Sequence, residues 1–328
     1  MIYRLGLIGM EGHTNYALEP IPQLQNVKLT AVACANERQQ NQLRKNPAFT
    51  SATKFYADFR EMLEKESLDI ACVYTPNNRH AESVIAAAQA GAHIFSEKPL
   101  AVTLADLETV KAAVKKAKVQ LTMMLNMRSE GRYQKVRELV HSGVIGQVAQ
   151  CSAQKSYKVG ERNEWEKKRE TLGGTIPYIA CHALDLIRWC SGLEFVMGAA
   201  FHNNVGRPDM GEMENTAGII CLASNGATIT TRLDYCRPEI APSWGDDRLR
   251  FAGSEGVVEV LFGQISLITS KEKPTTIPPA KSIEQLANLV NAIEGKEPML
   301  VPAEDCYRIT EVVLKLRDAA DRKVVVPL

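Results

Sequence analysis

The sequence predicts two domains: an α/β domain with a doubly wound parallel sheet, then an α+β domain with a large, mostly antiparallel open sheet. Three observations support this prediction. The chain has 328 residues, more than one hydrophobic core usually serves. In its first third, short β-rich runs alternate with helical patterns, which is typical of sequences that form a parallel sheet. After about residue 122, longer alternating strands replace that pattern. We therefore expect domains at residues 1–122 and 123–328.

The first domain is predicted from strands that alternate with helices. In chain order the segments are the strands YRLGLIG (3–9) and VKLTAVA (27–33), the helix NERQQNQLRK (36–45), the strand LDIACVYT (68–75), the helix NRHAESVIAAAQAG (78–91), the strand AHIFS (92–96), the helix TLADLETVKAAVKKAKV (103–119) and the strand QLTMML (120–125). Residues 68–75 are almost wholly apolar, which suits a sheet covered on both faces. Gly91 is a C-cap signal and Thr103 an N-cap signal. This order predicts a Rossmann-type sheet.

The second domain is predicted from a helix, a series of alternating strands and two final helices. The helices are GRYQKVRELVHSG (131–143), SIEQLANLVNAIEG (282–295) and AEDCYRITEVVLKLRDAA (303–320), and the strands are GQVAQCSAQKSYKV (146–159), ENTAGIICLA (214–223), ATITTRLDYC (227–236), RLRFAG (248–253), GVVEVLF (256–262) and QISLIT (264–269). Alternating strands in succession favour antiparallel pairing.

The composition is that of a soluble globular protein. Hydrophobic residues make up 45% and charged residues 23%, and 39 basic residues against 38 acidic ones give a net charge of +1. This balance argues against nucleic-acid and membrane-surface proteins, which usually carry a basic excess. No apolar run approaches the ~18 residues of a membrane span. The first ten residues read as a strand rather than a signal peptide. A cytoplasmic location is expected.

The eight cysteines predict buried, reduced thiols rather than disulfides. They are scattered without a CxxC pair, at positions 34, 72, 151, 181, 190, 221, 236 and 306. Several lie inside apolar runs, as Cys72 and Cys221 do. The six histidines do not fall at ligand spacing to them, so no metal site is expected.

The segment GLIGMEGHT (6–14) stands where a dinucleotide fingerprint belongs. In G-x-G-x-x-G the first glycine makes the turn and the second lets the backbone approach the pyrophosphate. Gly9 fits the first role, but Glu11 follows Met10 at the second position and Thr14 stands at the third. Gly12 could serve if the loop is shifted by one residue. The alternative is a glycine-containing turn that binds no phosphate.

The end of the second strand carries no carboxylate. An acidic residue there would bind the ribose diol of NAD, whereas arginine would meet the 2′-phosphate of NADP. The sequence has Cys34 at this position, followed by Asn36 and Arg38. This slightly favours NADP, with Asn36 and Arg38 as cofactor contacts. The alternative is that Arg38 is simply solvated on a helix.

Two segments end neighbouring strands of the predicted sheet. YTPNNRH (74–80) ends the predicted strand at 68–75 and SEKPL (96–100) ends the one at 92–96, so both lie at the carboxyl edge, where such sheets bind ligands. Lys98 precedes Pro99, which biases its backbone to an extended geometry that can present the side chain to a cleft. A lysine there can share a proton with a substrate hydroxyl. The alternative is a surface turn in which Lys98 pairs with Glu97.

These motifs resemble the glucose–fructose oxidoreductase/inositol dehydrogenase family (Gfo/Idh/MocA). The resemblance runs through residues 75–113 and continues at GVIGQV (143–148), GG…H..D (173–185), GSEGVVEV (253–260) and AEDCYRITEVV (303–313). It implies a hydride transfer with NAD or NADP. It also implies that Thr75, Pro76, Asn77 and His80 line the nicotinamide side of the cofactor. Glu97 and Lys98 would lie beside the nicotinamide ribose, with Lys98 reaching the reacting hydroxyl. A cis bond before Pro99 is implied as well.

The segment GGTIPYIACHALD (173–185) contains a polar stripe. Tyr178, His182 and Asp185 share one face of any helix through it. A histidine on a helix is more often structural, but the resembling family has D-x-x-x-H-x-x-D here, with the histidine as general acid/base. Tyr178 stands in place of the first aspartate. A phenol cannot stabilise an imidazolium as a carboxylate does, so three alternatives are open. Tyr178 would move the proton with help from Lys98, would only bind the substrate, or would mark a protein that has lost the usual chemistry.

Further candidates for substrate contact are less specific. Trp165 lies in a charged loop and would stack on a sugar, although a loop tryptophan is more often a packing anchor. Asn126 and Arg128 match the N-x-R of the resembling family, whose role is substrate contact or a bridge between domains. Three residues from the strand region complete the set: Arg232, Tyr235 and Trp244.

The leading hypothesis is an NAD(P)-dependent oxidoreductase acting on a sugar, an inositol or a similar polyol. Lys98, His182 and Tyr178 would be the catalytic residues, and Asn126, Trp165 and Asp185 would help to bind the substrate. The alternatives are an NAD-dependent enzyme that cleaves glycosides and a cofactor-binding regulator without turnover. The resemblance also implies a homodimer or homotetramer that forms through the C-terminal sheet.

Overall fold

The computed structural model describes residues 1–328, apart from the side chain of residue 208, and divides into two compact units. The first comprises residues 1–124 and 284–308, and the second residues 125–283 and 309–328. This differs from a single boundary near residue 122 because residues 284–308 return to the first unit. There Leu286 and Leu289 join the core around Leu5 and Leu7. Periodicity shows that such a helix is amphipathic but not which sheet it covers.

The first unit contains a six-stranded parallel sheet, as the sequence predicts. Its strands are β1 (Tyr3–Ile8), β2 (Val27–Ala33), β3 (Lys54–Tyr56), β4 (Ile70–Val73), β5 (His93–Ser96) and β6 (Leu121–Met123), in the order β3-β2-β1-β4-β5-β6. The chain reverses its direction across the sheet between β1 and β4. At such a point the carboxyl ends of the strands leave a crevice that binds ligands. The loops after β1, β4 and β5 all start at this edge.

Short helices connect these strands. They are α1 (Asn15–Leu18), α2 (Glu37–Leu43), α3 (Phe59–Lys65), α4 (His80–Gln89) and α5 (Leu104–Ala117), and α9 (Gln285–Ile293) belongs to the same unit. Asn36, Asp58 and Thr103 each cap the helix that follows with a side-chain oxygen. Strand β3 and helix α3 had no counterpart among the predicted segments. For β3 the reason is its length, because three residues are too few to show a strand period.

The second unit contains a nine-stranded sheet, which is antiparallel except where β7 pairs with β10. Its strands are β7 (Val148–Tyr157), β8 (Phe195–Asn203), β9 (Thr216–Ala223), β10 (Thr228–Asp234), β11 (Gly245–Gly253), β12 (Gly256–Leu261), β13 (Gln264–Thr269), β14 (Thr275–Ile277) and β15 (Val326–Pro327), in the order β14-β13-β12-β11-β7-β10-β9-β8-β15. The mostly antiparallel prediction is confirmed. Strands β8, β14 and β15 were not predicted from the sequence. In β8 a register shift interrupts the alternation of side chains.

Helices cover one face of the nine-stranded sheet. They include α6 (Gly131–His141) and α8 (Cys181–Ser191). The short helix α7 (Arg169–Leu172) precedes α8, and α10 (Ala303–Arg322) runs from the first unit into the second. One π-helical turn, Ile176–Ala180, leads directly into α8. Phe201 and Ile220 lie exposed on the opposite face. Across the described residues, no helix combines the length and hydropathy needed to cross a membrane.

Gly131, the first residue of α6, is expected to be essential for the stability of the second unit. A Cβ there would lie 1.8 Å from the carbonyl oxygen of Ala280, whose own N–H donates to Gly131 O. Gly131→Ala must therefore displace backbone, and we expect a loss of about 3 kcal/mol in the free energy of unfolding.

All three tryptophans lie in the second unit, so urea unfolding followed by tryptophan fluorescence reports on it. Gly218→Ala is the matched control, since nothing lies within 4 Å of the added Cβ. We expect that control to change the free energy by less than about 0.5 kcal/mol. Similar losses of unfolding free energy in Gly131→Ala and Gly218→Ala would contradict the proposed importance of Gly131 for stability.

Candidate active site

The loop after β1 packs tightly over the carboxyl ends of β1 and β4. Gly9 has φ +81°, and a Cβ there would lie 2.4 Å from the carbonyl oxygen of Tyr74. Glu11 N donates to the same oxygen at 2.8 Å. Gly12 also has a positive φ, +65°, and its missing Cβ leaves room for the carboxylate of Glu97. The shifted alternative therefore describes the loop: Gly9 and Gly12 supply the turns, and residue 11 does not need to be glycine.

Glu97 is a buried carboxylate that ties this loop to the end of β5. Its Oε1 lies 2.6 Å from His13 Nδ1, and its Oε2 accepts the N–H of Lys98 at 2.7 Å. Burial acts to raise the pKa of Glu97, but the charge of Lys98 and the contact with His13 outweigh it and lower the pKa to about 2. Glu97 is thus ionised at neutral pH. The sequence did not predict a role for His13, although His13 lies in the loop after β1 that contains Gly9 and Gly12 (called the glycine loop below).

The segment 96–100 is part of the interior rather than a surface turn. Glu97 and Lys98 are both buried, which excludes the surface alternative. The peptide bond between Lys98 and Pro99 is cis, as the resemblance implies.

His80 holds the loops after β4 and β5 together and does not line the site. The ring is fully buried, with Nδ1 2.7 Å from the carbonyl oxygen of Pro99 and Nε2 2.8 Å from that of Thr75. Burial lowers the pKa of His80 despite these two contacts. Both nitrogens are engaged, so the predicted contact between His80 and a cofactor is corrected. The ring instead joins the loops after β4 and β5.

The residues at this edge fit a dinucleotide. The two glycines bring the backbone loop over the switch point, where doubly wound sheets hold the pyrophosphate. Thr75 Oγ1, at the end of β4, is buried and makes no hydrogen bond to any of the described residues. Such a group needs a partner, and a polar group of a ligand would provide one. Pro76 and Asn77 follow in the same loop, Pro76 half-buried and Asn77 buried.

At the end of β2, the two predicted cofactor contacts have different surroundings. Asn36 Oδ1 accepts the N–H of Gln39 at 2.9 Å, so this oxygen caps α2, and a cofactor contact through the amide nitrogen of Asn36 stays a prediction. Arg38 is exposed on the first turn of α2. Met10 packs against the core of the first unit.

In the second unit, Tyr178 and His182 lie on the segment that changes from π-helical to α-helical geometry. Both side chains are half-buried. The start of this segment is fixed, because Thr175 N donates to Glu214 Oε2 at 3.0 Å and Thr175 Oγ1 donates to Glu214 O. π-Helical turns are rare and frequently occur at functional sites. The sequence predicted a simple helix here and did not reveal the wider turn.

Asp185 forms a buried ion pair instead of facing a substrate. Arg128 donates to it through Nε at 2.8 Å and Nη2 at 2.6 Å, and the two side chains are 1% and 2% exposed. The guanidinium also lies over the ring of Trp189, 5.4 Å from its centroid. The predicted substrate contact of Asp185 is therefore corrected: the carboxylate anchors α8 one turn after His182. Asn126, in the preceding 3₁₀ turn, is half-buried.

Aromatic and charged side chains extend the site within the second unit. The rings of Tyr157 and Tyr235 are 6.3 Å apart, and Arg162 lies over Tyr235 at 4.8 Å. Lys155 Nζ donates to Asp247 Oδ2 at 2.7 Å. A cavity of about 740 Å³ opens beside them, and its lining includes Arg132, Tyr157, Arg237, Trp244, Asp247 and Phe262. The sequence did not predict a role in the site for Lys155, Tyr157, Arg162 or Asp247.

The remaining predicted residues are less central. Arg232 lies on the open face of the sheet, so it does not line this cavity. Trp165 is half-buried in the 3₁₀ turn Glu164–Lys167, and its carbonyl accepts the hydroxyl of Thr171. Trp244 covers Gly160, where a Cβ would lie 2.2 Å from the indole.

Two family models match this chain. The one described as "Oxidoreductase family, NAD-binding Rossmann fold" matches residues 3–125, and the one described as "GFO/IDH/MocA C-terminal domain" matches residues 133–259. A solved structure of a putative oxidoreductase from Thermotoga maritima is 32% identical, with a TM-score of 0.93 over 99% of this chain and 100% of that one. The chain belongs to the GFO/IDH/MocA oxidoreductase family.

Two further proteins are similar to this chain. The myo-inositol 2-dehydrogenase of Thermotoga maritima is 33% identical over 143 residues, which span 44% of this chain and 42% of that protein. The chain therefore matches less than half the length of this relative. A structure of levoglucosan dehydrogenase in complex with NADH is 18% identical, with a TM-score of 0.83 over 100% of this chain and 99% of that one, and shows a shared fold.

Breaking the buried Arg128–Asp185 pair is expected to destabilise the second unit strongly. In Asp185→Asn the guanidinium stays buried without its compensating charge, so we expect the free energy of unfolding to fall by about 3–5 kcal/mol. The measurement is urea unfolding followed by tryptophan fluorescence.

Asp318→Asn provides the matched control, because it makes the same change at a half-exposed pair with Arg317. Surface pairs contribute about 0–1 kcal/mol. Equal losses in the two variants would contradict a special role for the buried pair.

Proposed function

We propose that this protein is an NAD(P)-dependent oxidoreductase that transfers hydride between nicotinamide and a hydroxyl-bearing carbon of a sugar, an inositol or a similar polyol. The main support is the edge at the ends of β1, β4 and β5, where the glycine loop, buried Thr75 and the Glu97–Lys98 segment come together. Family membership and the name of the relative, myo-inositol 2-dehydrogenase, support the same reaction class.

In this proposal the nicotinamide, when bound, gives or accepts the hydride, and the protein controls position and protons. Lys98 holds the substrate oxygen and donates hydrogen bonds to it. The ionised carboxylate of Glu97 supports Lys98 through its charge and fixes the backbone N–H of Lys98. His80 keeps the loops after β4 and β5 in register.

Proton transfer is assigned to the second unit. His182 is the proposed general acid/base, and Tyr178 donates a hydrogen bond to the substrate from the preceding turn. Arg162 interacts electrostatically with Tyr178 and Tyr235, so a cation is near this phenol. The aromatic cavity that includes Tyr157 and Trp244 supports a carbohydrate-like substrate, because sugar rings stack on aromatic faces. Asn126 and Trp165 are retained as proposed substrate contacts.

Two predictions from the sequence concern the choice between NAD and NADP and the location of the protein in the cell. The sequence slightly favours NADP, on the ground that β2 ends without a carboxylate. The exposed position of Arg38 is compatible with a 2′-phosphate but also with a solvated arginine. A cytoplasmic location stays a prediction.

We also propose that the protein forms a homodimer or homotetramer through the open face of the nine-stranded sheet. Phe201 and Ile220 are 63% and 54% exposed there. They line a depression of about 650 Å³ together with Arg232, Arg248 and Glu259, so apolar and complementary charged groups lie side by side. A face of this kind on a soluble protein indicates a protein contact, and a self-complementary patch suits a two-fold symmetric dimer.

Lys98→Met is the first test of the proposed activity. The substitution removes the ammonium group but keeps the apolar stem, so we expect kcat/KM to fall about 100-fold or more on whichever polyol or sugar proves active. Binding of the dinucleotide, measured by fluorescence titration, should change much less.

Lys116→Met, at an exposed position of α5, serves as the control and should retain full activity. Tyr178→Phe, compared in the same assay, removes the hydroxyl that is proposed to donate to the substrate and leaves His182 as the general acid/base. An unchanged rate in Lys98→Met would refute the proposed site, and a protein that binds neither dinucleotide would refute the oxidoreductase itself.

Ile220→Asp tests the assembly. A charge in the middle of the open face should weaken the contact between subunits and shift the mass measured by light scattering toward the monomer. Ile240→Asp is the control, because Ile240 is 92% exposed in the loop between β10 and β11 and is not among the residues that line this depression. A wild-type protein that is monomeric at all concentrations would contradict the proposal.

A further inference from the structure

The amide of Gln39 connects the helix after β2 to the loop after β1. Gln39 Oε1 accepts the N–H of Asn36 at 3.0 Å, and Gln39 N donates to Asn36 Oδ1 at 2.9 Å, which together form a capping box. Because the oxygen of the amide must face this N–H donor, the NH₂ group must face the other way. It donates to Met10 O at 3.3 Å and to Glu11 Oε1 at 3.1 Å.

The carboxylate of Glu11 is therefore held where β1 and β2 end side by side. Ile8 pairs with Ala33 in the sheet, and Gly9 N donates to Ala33 O at 2.9 Å. In doubly wound sheets the adenosine ribose lies at this boundary, and an acidic residue at the end of β2 binds its two hydroxyls. Here the side chain after β2 is Cys34, which has φ +61°, and Asn36 is used as a helix cap.

From these contacts we propose that Glu11 replaces the missing acidic residue of β2 and makes the protein selective for NAD over NADP. The inference rests on the proposed dinucleotide-dependent function. Glu11 reaches the ribose from the loop after β1 instead of from the end of β2. Its carboxylate accepts hydrogen bonds from the 2′- and 3′-hydroxyls and repels a 2′-phosphate, and Gln39 fixes its orientation.

This proposal reverses the slight preference for NADP that the sequence suggested. That preference depended on the residues at the end of β2 alone, whereas the carboxylate comes from the loop after β1. The proposed role of Glu11 also explains why residue 11 departs from glycine: the positive φ values belong to Gly9 and Gly12, and position 11 is left for a side chain.

The test is fluorescence titration of NADH and NADPH, separately, with the wild-type protein and with Glu11→Gln. We expect the wild type to bind NADH at least 10-fold more tightly than NADPH. In Glu11→Gln this ratio should fall by 10-fold or more, through weaker binding of NADH, tighter binding of NADPH or both. Gln39→Leu should shift the ratio in the same direction by a smaller factor, since it frees the carboxylate without removing it.

Glu37→Gln is the matched control: it removes the same charge from an exposed position of α2, and its ratio should stay within about two-fold of the wild type. Thermal unfolding of each variant verifies that it is folded. A wild type that prefers NADPH, or a Glu11→Gln ratio equal to that of the wild type, would overturn the role of Glu11 while leaving the oxidoreductase intact. Failure of the wild type to bind either dinucleotide would overturn the proposed function itself.

Discussion

The arrangement of the first unit depends on one buried carboxylate, that of Glu97. Removing a charge from water is costly, so the carboxylate persists only because His13, the N–H of Lys98 and the charge of Lys98 compensate it. These partners come from the loop after β1 and from the segment after β5. The same carboxylate occupies the space that a Cβ at Gly12 would need. One ionised group thereby fixes both loops and keeps a positive charge at the crevice.

A second buried charge pair performs the corresponding task in the second unit. Asp185 belongs to α8 and Arg128 to the turn before α6, so their bidentate contact fixes α8 at the turn that follows His182. Thr175 and Glu214 fix the start of the preceding π-helical turn. The half-buried Tyr178 and His182 thus lie between two rigid anchors. Catalytic groups need such support because small displacements cost large factors in rate.

The sequence predicted the two sheets and the segments that follow β4 and β5, for identifiable reasons. Strong periods and the T-P-N and E-K-P segments are local signals, and they located Thr75, Glu97 and Lys98 correctly at the carboxyl edge. The misassigned residues depend on contacts distant in sequence. Asp185 shares a helix face with His182, but its partner Arg128 is 57 residues away. His80 likewise bonds to Pro99, and no periodicity shows which carbonyls surround a buried ring.

Two departures from the family pattern, Glu11 and Tyr178, suggest at first a protein that has lost its chemistry. The surroundings of each residue argue otherwise. A vestigial side chain has no reason to retain specific partners, yet Gln39 orients the carboxylate of Glu11 through an amide whose other end is fixed by Asn36. Tyr178 follows a rigidly held glycine turn and lies within the electrostatic reach of Arg162. Buried and half-buried polar groups cost stability unless they are satisfied, so the contacts of these two residues favour altered specificity over lost function.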